Sequence, residues 1–160
     1  MQCLDLFFDQ ENSRNNKDNA LKCPGCNKSG EVLQKYSLIR IPSNLIIVLK
    51  RYTFESASNG IKISKNQAVI EPAEVLDLRE HIFGSGNNGH SGGVGGGTIY
   101  ELGSICVHIG SSPRSGHYIA LVKLRNVWWR VSDDKVRECN DNDWQEAQRN
   151  CYILFYKKRT

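Results

Sequence analysis

An α+β fold made mainly of antiparallel β-sheet, with few short helices, is predicted by three features of the sequence. Strand-like runs of branched and aromatic residues crowd the last third of the chain. Turn residues space them, and helix-period apolar patterns are brief. With 160 residues, the chain is long enough for one domain to bury a core without disulfide help.

Taken in order, residues 3–11, CLDLFFDQE, predict a short amphipathic helix, and the SRNNKDN after it is polar and turn-forming. KCPGCNKSGE predicts a knuckle, because Pro24 and Gly25 turn the chain so that the thiols of Cys23 and Cys26 face one point. From Val32 the pattern becomes sheet-like. VLQKYSLIRI alternates, Pro42 interrupts, and LIIVLKRY is a continuous apolar run ending near Lys50 and Arg51, as expected of a central strand buried on both faces. QAVI, with Pro72 after it, is a further extended piece leading to VLDL. Residues 84–98, GSGNNGHSGGVGGGT, hold most of the glycine and read as an insertion that adds no core. This tract is not a phosphate cradle, since no GK[ST] follows it.

Beyond the tract, YELGSICVHIG, SGHYIALVKL, VWWRV and CYILFYKK predict four strands, with QEAQ a helical interlude before the last. The two residues Arg125 and Asn126 between VKL and VWW predict a hairpin tip. Counting back from that tip places His117 beside Asp133 and Asp134, with Ser132 one step along.

Composition narrows the function classes. A net charge of +4 is modest, and the dense basic cluster Lys157, Lys158 and Arg159 reads as a solvated tail, which argues against a nucleic-acid partner. No apolar run is long enough to span a membrane. The opening MQCLDLFFDQEN shows no basic leader or small-residue cleavage site, so an intracellular location, cytoplasm or nucleus, is expected. There the 6 cysteines are expected to be thiols or metal ligands.

The chemistry centres on His117. A neutral imidazole held on one ring nitrogen can deprotonate a nucleophile with the other, and a neighbouring acceptor fixes its tautomer. The same arrangement reads equally well as a satisfied structural hydrogen bond at a sheet edge. No cysteine sits where its pKa would be lowered for attack. Cys106 and Cys151 lie in apolar strands, Cys3 on a helix face and Cys139 on a surface turn.

The ordered series CPGC, IPSNLIIVLKRY, AVIEPAEVLDL, YELGSICVHIGSSPRSGHYIA, WWRVSDDKV and CYILFYKK resembles the C-terminal half of the ubiquitin-specific protease domain, a papain-like family of deubiquitinating enzymes. The resemblance covers the chain from Cys3 to Lys158 and implies one partial catalytic domain over residues 1–160. The sheet would be the family's palm, CPGC a remnant of its fingers, and 84–98 an insertion between strands.

By that resemblance His117 is the catalytic base, Gly116 and Tyr118 flank the channel for the tail of ubiquitin, and GSSPRS is a mobile loop framing it. His108 in VHIG matches a recurrent family histidine, either supporting the site or simply part of the core. Ser132 takes the third catalytic position, where the family carries aspartate or asparagine, and Asp133 follows it with the charge that serine lacks. Cys23 and Cys26 match one of two knuckles that together hold a structural zinc, a site needing four ligands.

The family's nucleophilic cysteine box has no counterpart here. The expected activity of the whole domain is hydrolysis of the isopeptide or peptide bond at the C-terminal glycine of ubiquitin, with ubiquitin and ubiquitinated proteins as partners. The thiol would come from a missing N-terminal half, and this chain alone is expected to be inactive. The competing classes are a non-catalytic ubiquitin- or protein-binding module that keeps the palm surface, and a zinc-ribbon interaction domain built on CPGC.

Overall fold

The computed structural model describes residues 4, 7, 8, 21–30, 36–83 and 97–159. Most of the expected N-terminal helix lies outside these, as does the glycine-rich tract apart from its last two residues; the described Leu4, Phe7 and Phe8 are helical. The chain forms two units, Met1–Ile41 with Leu78–Gly95, and Pro42–Asp77 with Gly96–Thr160.

In the first unit, strands β1 (Leu21–Lys22) and β2 (Ser29–Gly30) pair antiparallel around the CPGC turn. Asn27 closes that turn in the left-handed region (φ 58°), which asparagine tolerates, and its N–H donates to the Cys23 carbonyl at 2.8 Å. Phe8 is buried with its ring stacked on His81 at 4.2 Å. The strand expected from Val32 is reduced, over its described part, to a bridge between Leu38 and Ile82, and residues 31–35 lie outside the described residues.

The second unit is built on strands β3 (Asn44–Val48), β4 (Tyr52–Ala57), β5 (Gly60–Lys65), β6 (Val75–Asp77), β7 (Ile99–Ser112), β8 (Ser115–Leu124), β9 (Val127–Ser132), β10 (Lys135–Glu138) and β11 (Cys151–Lys158), with helix α1 (Asp141–Asn150) before the last. Its main sheet runs β10-β9-β8-β7-β11-β3, with β6 paired to the start of β7, and every described pairing in it is antiparallel. β4 and β5 form a separate hairpin.

Turn chemistry fixes this register. Arg125 and Asn126 both take positive φ (49° and 64°), the type I′ geometry whose twist matches the strands it joins, so Leu124 faces Val127. Alternation then sorts the side chains into two faces. On one face Ile105, Val107, Ile119, Leu121 and Leu154 are buried under α1, whose Ala147 is fully buried and whose Trp144 meets Trp128 edge-on at 5.0 Å. Each such side chain contributes about 1.5–3 kcal/mol relative to exposure.

Two expectations are corrected. LIIVLKRY is not a central strand buried on both faces. It supplies β3, an edge strand paired only to β11 among the described residues, with Ile46 58% and Val48 56% exposed. The branched run satisfied the strand preference, but the described residues cover only one of its faces. QAVI joins no strand; its backbone is held by a side chain and by helix α1, with Arg51 donating to the Ala68 carbonyl and the Ile70 N–H donating to the Gln148 carbonyl.

Candidate active site

His117 lies near the start of β8, opposite Ile109 of β7. Its ring is half-exposed, and Nε2 stands 2.8 Å from Ser132 Oγ at the end of β9. Asp133 follows in the two-residue loop between β9 and β10, in the left-handed region (φ 50°), and its Oδ2 lies 3.8 Å from the same Nε2. Counting from the Arg125–Asn126 tip puts Asp134 directly opposite His117. The tight turn ends β9 at Ser132 instead, one residue beyond the Ala120–Val131 pair, and Ser132 makes the contact.

The two polar neighbours differ in what they do. The hydroxyl can either accept from Nε2–H or donate to Nε2, and it does the former in the tautomer whose Nδ1 carries the lone pair. Asp133 is 78% exposed, so its attraction for an imidazolium is solvent-screened and worth about 0–1 kcal/mol. Ser132 makes the hydrogen-bond contact, and Asp133 lies beyond hydrogen-bond distance.

Gly116 has φ +148°, and a Cβ built there would stand 2.5 Å from the Ile109 carbonyl oxygen and 2.6 Å from His108 Nε2. Glycine is therefore required at this position by contacts with β7. Tyr118 is half-exposed and packs against His108 with ring centroids 4.6 Å apart. The GSSPRS segment extends both strands and turns at Pro113 and Arg114, where the Arg114 N–H donates to Ser112 Oγ.

His108 is 1% exposed, and its Nδ1 shares a 2.6 Å hydrogen bond with the Tyr52 hydroxyl. Burial, followed by the charge of Lys65, pushes its pKa down and keeps it neutral. Lys65 places its three N–H donors on the His108 carbonyl (2.6 Å), the Gly110 carbonyl (2.9 Å) and Asn150 Oδ1 (2.9 Å). Tyr52 and Lys65 are residues that sequence reading missed. A signal was present: TFES and IKIS alternate on either side of Ser58-Asn59-Gly60, a hairpin turn ending in a glycine with φ 121°. The buried Arg51 was seen only as a charge at a strand end. It ties β4 to the last strand, donating from Nε to the Cys151 carbonyl at 2.5 Å and from a terminal nitrogen to Ala68 O at 2.9 Å.

None of the described thiols is hydrogen-bonded to His117. Burial raises the pKa of Cys106 and Cys139, the reverse of what a nucleophile needs, and Cys151 Sγ accepts from Arg51. Cys23 and Cys26 are both exposed, and the Cys23 pKa is lowered by backbone N–H groups of Cys26 and Gly25. They supply two soft ligands. Among the described residues no cluster of three or more His, Cys, Asp or Glu could hold a metal, and a tetrahedral zinc site needs four ligands.

The profile of the family described as ubiquitin carboxyl-terminal hydrolase matches residues 10–156. The chain belongs to that family. Ubiquitin carboxyl-terminal hydrolase 19 of Homo sapiens is 32% identical over 166 residues, covering 99% of this chain and 12% of the relative. Ubiquitin carboxyl-terminal hydrolase 10 of Arabidopsis thaliana is 29% identical over 158 residues, covering 98% of this chain and 15% of the relative. Among solved structures, the SAGA Ubp8/Sgf11/Sus1/Sgf73 DUB module bound to ubiquitin aldehyde is similar with a TM-score of 0.74 and 28% identity, over 99% of this chain and 33% of that one. The chain thus spans only a small part of the length of these relatives. Its antiparallel sheet with a single described α-helix bounded at both ends is the fold of those neighbours. No helix among the described residues is long and apolar enough to cross a membrane.

Proposed function

We propose that this chain is the base-bearing part of a cysteine-type deubiquitinase that cleaves the bond after the C-terminal glycine of ubiquitin. The observation that carries the reading is the 2.8 Å contact between His117 Nε2 and Ser132 Oγ on a half-exposed ring. With Nε2–H donated to the hydroxyl, Nδ1 takes the proton of a cysteine thiol supplied from outside the described residues. The thiolate attacks the carbonyl carbon of the last ubiquitin glycine, and the tetrahedral intermediate collapses with loss of the C–N bond as His117 returns its proton to the leaving amine. Water, deprotonated by the same nitrogen, then splits the thioester into a carboxylate and the regenerated thiol. Family membership and the ubiquitin aldehyde bound to the similar DUB module support ubiquitin as the substrate.

The test uses the full-length parent protein and a ubiquitin probe carrying an electrophile at its tail. Labelling is expected, and His117→Ala should slow it by roughly 10²–10⁴-fold, the usual contribution of a general base. Labelling at the original rate in His117→Ala would remove His117 from the mechanism. Tight ubiquitin binding with no labelling of the parent would instead favour a non-catalytic ubiquitin-binding module.

A further inference from the structure

We propose that Tyr52 and Lys65 of the β4–β5 hairpin, acting through His108, are positioning residues for His117. The inference rests on the base role given to His117 above, but it concerns what holds that ring in place.

His108 and His117 stand on opposite faces of the β7–β8 pair, since His108 faces Tyr118 in register and His117 faces Ile109. The link between them is the backbone of Gly116. The His108 Nε2 edge occupies the space where a side chain at 116 would begin, 2.6 Å from that position, and its Cε1 lies 3.2 Å from the corresponding position at Gly110. Both glycines have positive φ, 156° at Gly110 and 148° at Gly116. The imidazole of His108 is therefore packed under the two glycines that let β7 and β8 close together just before His117. A rotation of that ring moves Gly116, and with it the Cα of the next residue.

What stops the rotation comes from the separate hairpin. Tyr52 OH grips Nδ1 at 2.6 Å, and the Tyr52 and Tyr152 rings contact the imidazole at centroid distances of 5.9 and 6.4 Å. Lys65 pins the backbone on both sides of Ile109 through the carbonyls of His108 and Gly110, and Asn150 at the end of α1 takes its third proton. The Tyr52 hydrogen bond and the surrounding tyrosine rings together favour the observed orientation of the buried imidazole. Removing the Tyr52 hydroxyl leaves that nitrogen without its partner in the interior, an unfavourable state that ring reorientation relieves.

The experiment reads the ring nitrogens of His117 in the ¹⁵N-labelled chain by long-range proton–nitrogen correlation spectra, in buffer alkaline enough that imidazole side chains are neutral. In the unsubstituted chain a protonated Nε2 and an unprotonated Nδ1 are expected, with well separated nitrogen shifts. In Tyr52→Phe and in Lys65→Met the separation should fall by roughly half or more as the two tautomers average. Thr53→Ala removes an exposed hydrogen bond to Ser64 in the same hairpin and should leave the shifts unchanged.

An unchanged His117 in a folded Tyr52→Phe chain overturns the proposal, as does an equal displacement in Thr53→Ala or averaged tautomers in the unsubstituted chain. Should Lys65→Met lose the amide dispersion of a folded sheet, the isosteric Tyr52→Phe decides alone. Because the readout needs neither thiol nor ubiquitin, its failure is separable from failure of the ubiquitin probe to label.

Discussion

Gly116 is where the smallest change should have the largest local effect. Alanine there meets both a positive φ and two close contacts, of which the Ile109 carbonyl oxygen at 2.5 Å belongs to paired backbone and cannot move aside. Backbone strain of this kind costs about 1–3 kcal/mol before the clash is added. Gly116→Ala should lower the stability of the chain by at least about 2 kcal/mol in urea titration. The double substitution with His108→Ala should not restore it, because removing the imidazole leaves the carbonyl in place. Recovery of the original midpoint in the double variant would show that the imidazole alone sets the requirement for glycine. That His117 meets the stretch from Ser132 to Asp134 was legible in the sequence, because the Arg125–Asn126 tip sets the register; that Ser132 makes the close contact was not, since counting puts Asp134 opposite and the turn that ends β9 decides. Tyr52 and Lys65 were not, since their approach to His108 depends on how a separate hairpin docks, and no local pattern encodes that.

At the scale of the element, helix α1 is held by one side chain. Asn140 and Asp143 form a reciprocal cap, and Asp143, 4% exposed, also accepts two 2.7 Å bonds from Arg137 and lies 3.2 Å from Arg130 Nε. The hydrogen bonds from Arg137, then the Asn140 N–H and the charge of Arg130, hold its carboxyl below the usual carboxylate range against the opposing effect of burial. A carboxyl depressed in the folded state stabilises fully above its unfolded value of about 4, and that contribution is lost as pH falls through the lower folded value. Asp143→Asn should therefore cost about 1.5–3 kcal/mol near neutral pH, the range for hydrogen bonds to charged groups. The gap between the two proteins should narrow only below about pH 4. Thermal melts across pH check this, and a gap that closes already near pH 6 would assign the effect to another group. The QEAQ pattern revealed the helix, but the cap that starts it lies in NDND just upstream, residues 140–143, where Asn140 and Asp143 read locally as a polar turn.

Strand order governs the whole second unit, and it was the least legible property. LIIVLKRY and CYILFYKK are similar apolar runs in sequence, yet the first became an edge and the second an interior strand. Nothing local separates them, because the choice depends on which other strands find each as a partner. The outcome has a consequence for folding. β11 is the last strand in the chain and pairs on one side with β7 and on the other with β3, so residues about 50 to 110 apart in sequence must meet before the sheet can close. Its Cys151, Leu154 and Tyr156 are buried, the Tyr156 hydroxyl donates to the Ala73 carbonyl at 2.8 Å, and the Cys151 carbonyl receives Arg51. A chain ending at Asn150 loses both ladders together with these contacts and leaves β7 with an unpaired apolar flank. It should show no cooperative thermal unfolding by circular dichroism. A chain ending at Lys158 loses only the Arg159 bonds to Ile99 and Glu101, the latter an exposed ion pair, and should melt within a few degrees of the full chain. Cooperative melting of the shorter chain at the original temperature would mean that β3 and β7 hold the sheet without the strand between them. That outcome would contradict the non-local closure from which the topology draws its stability.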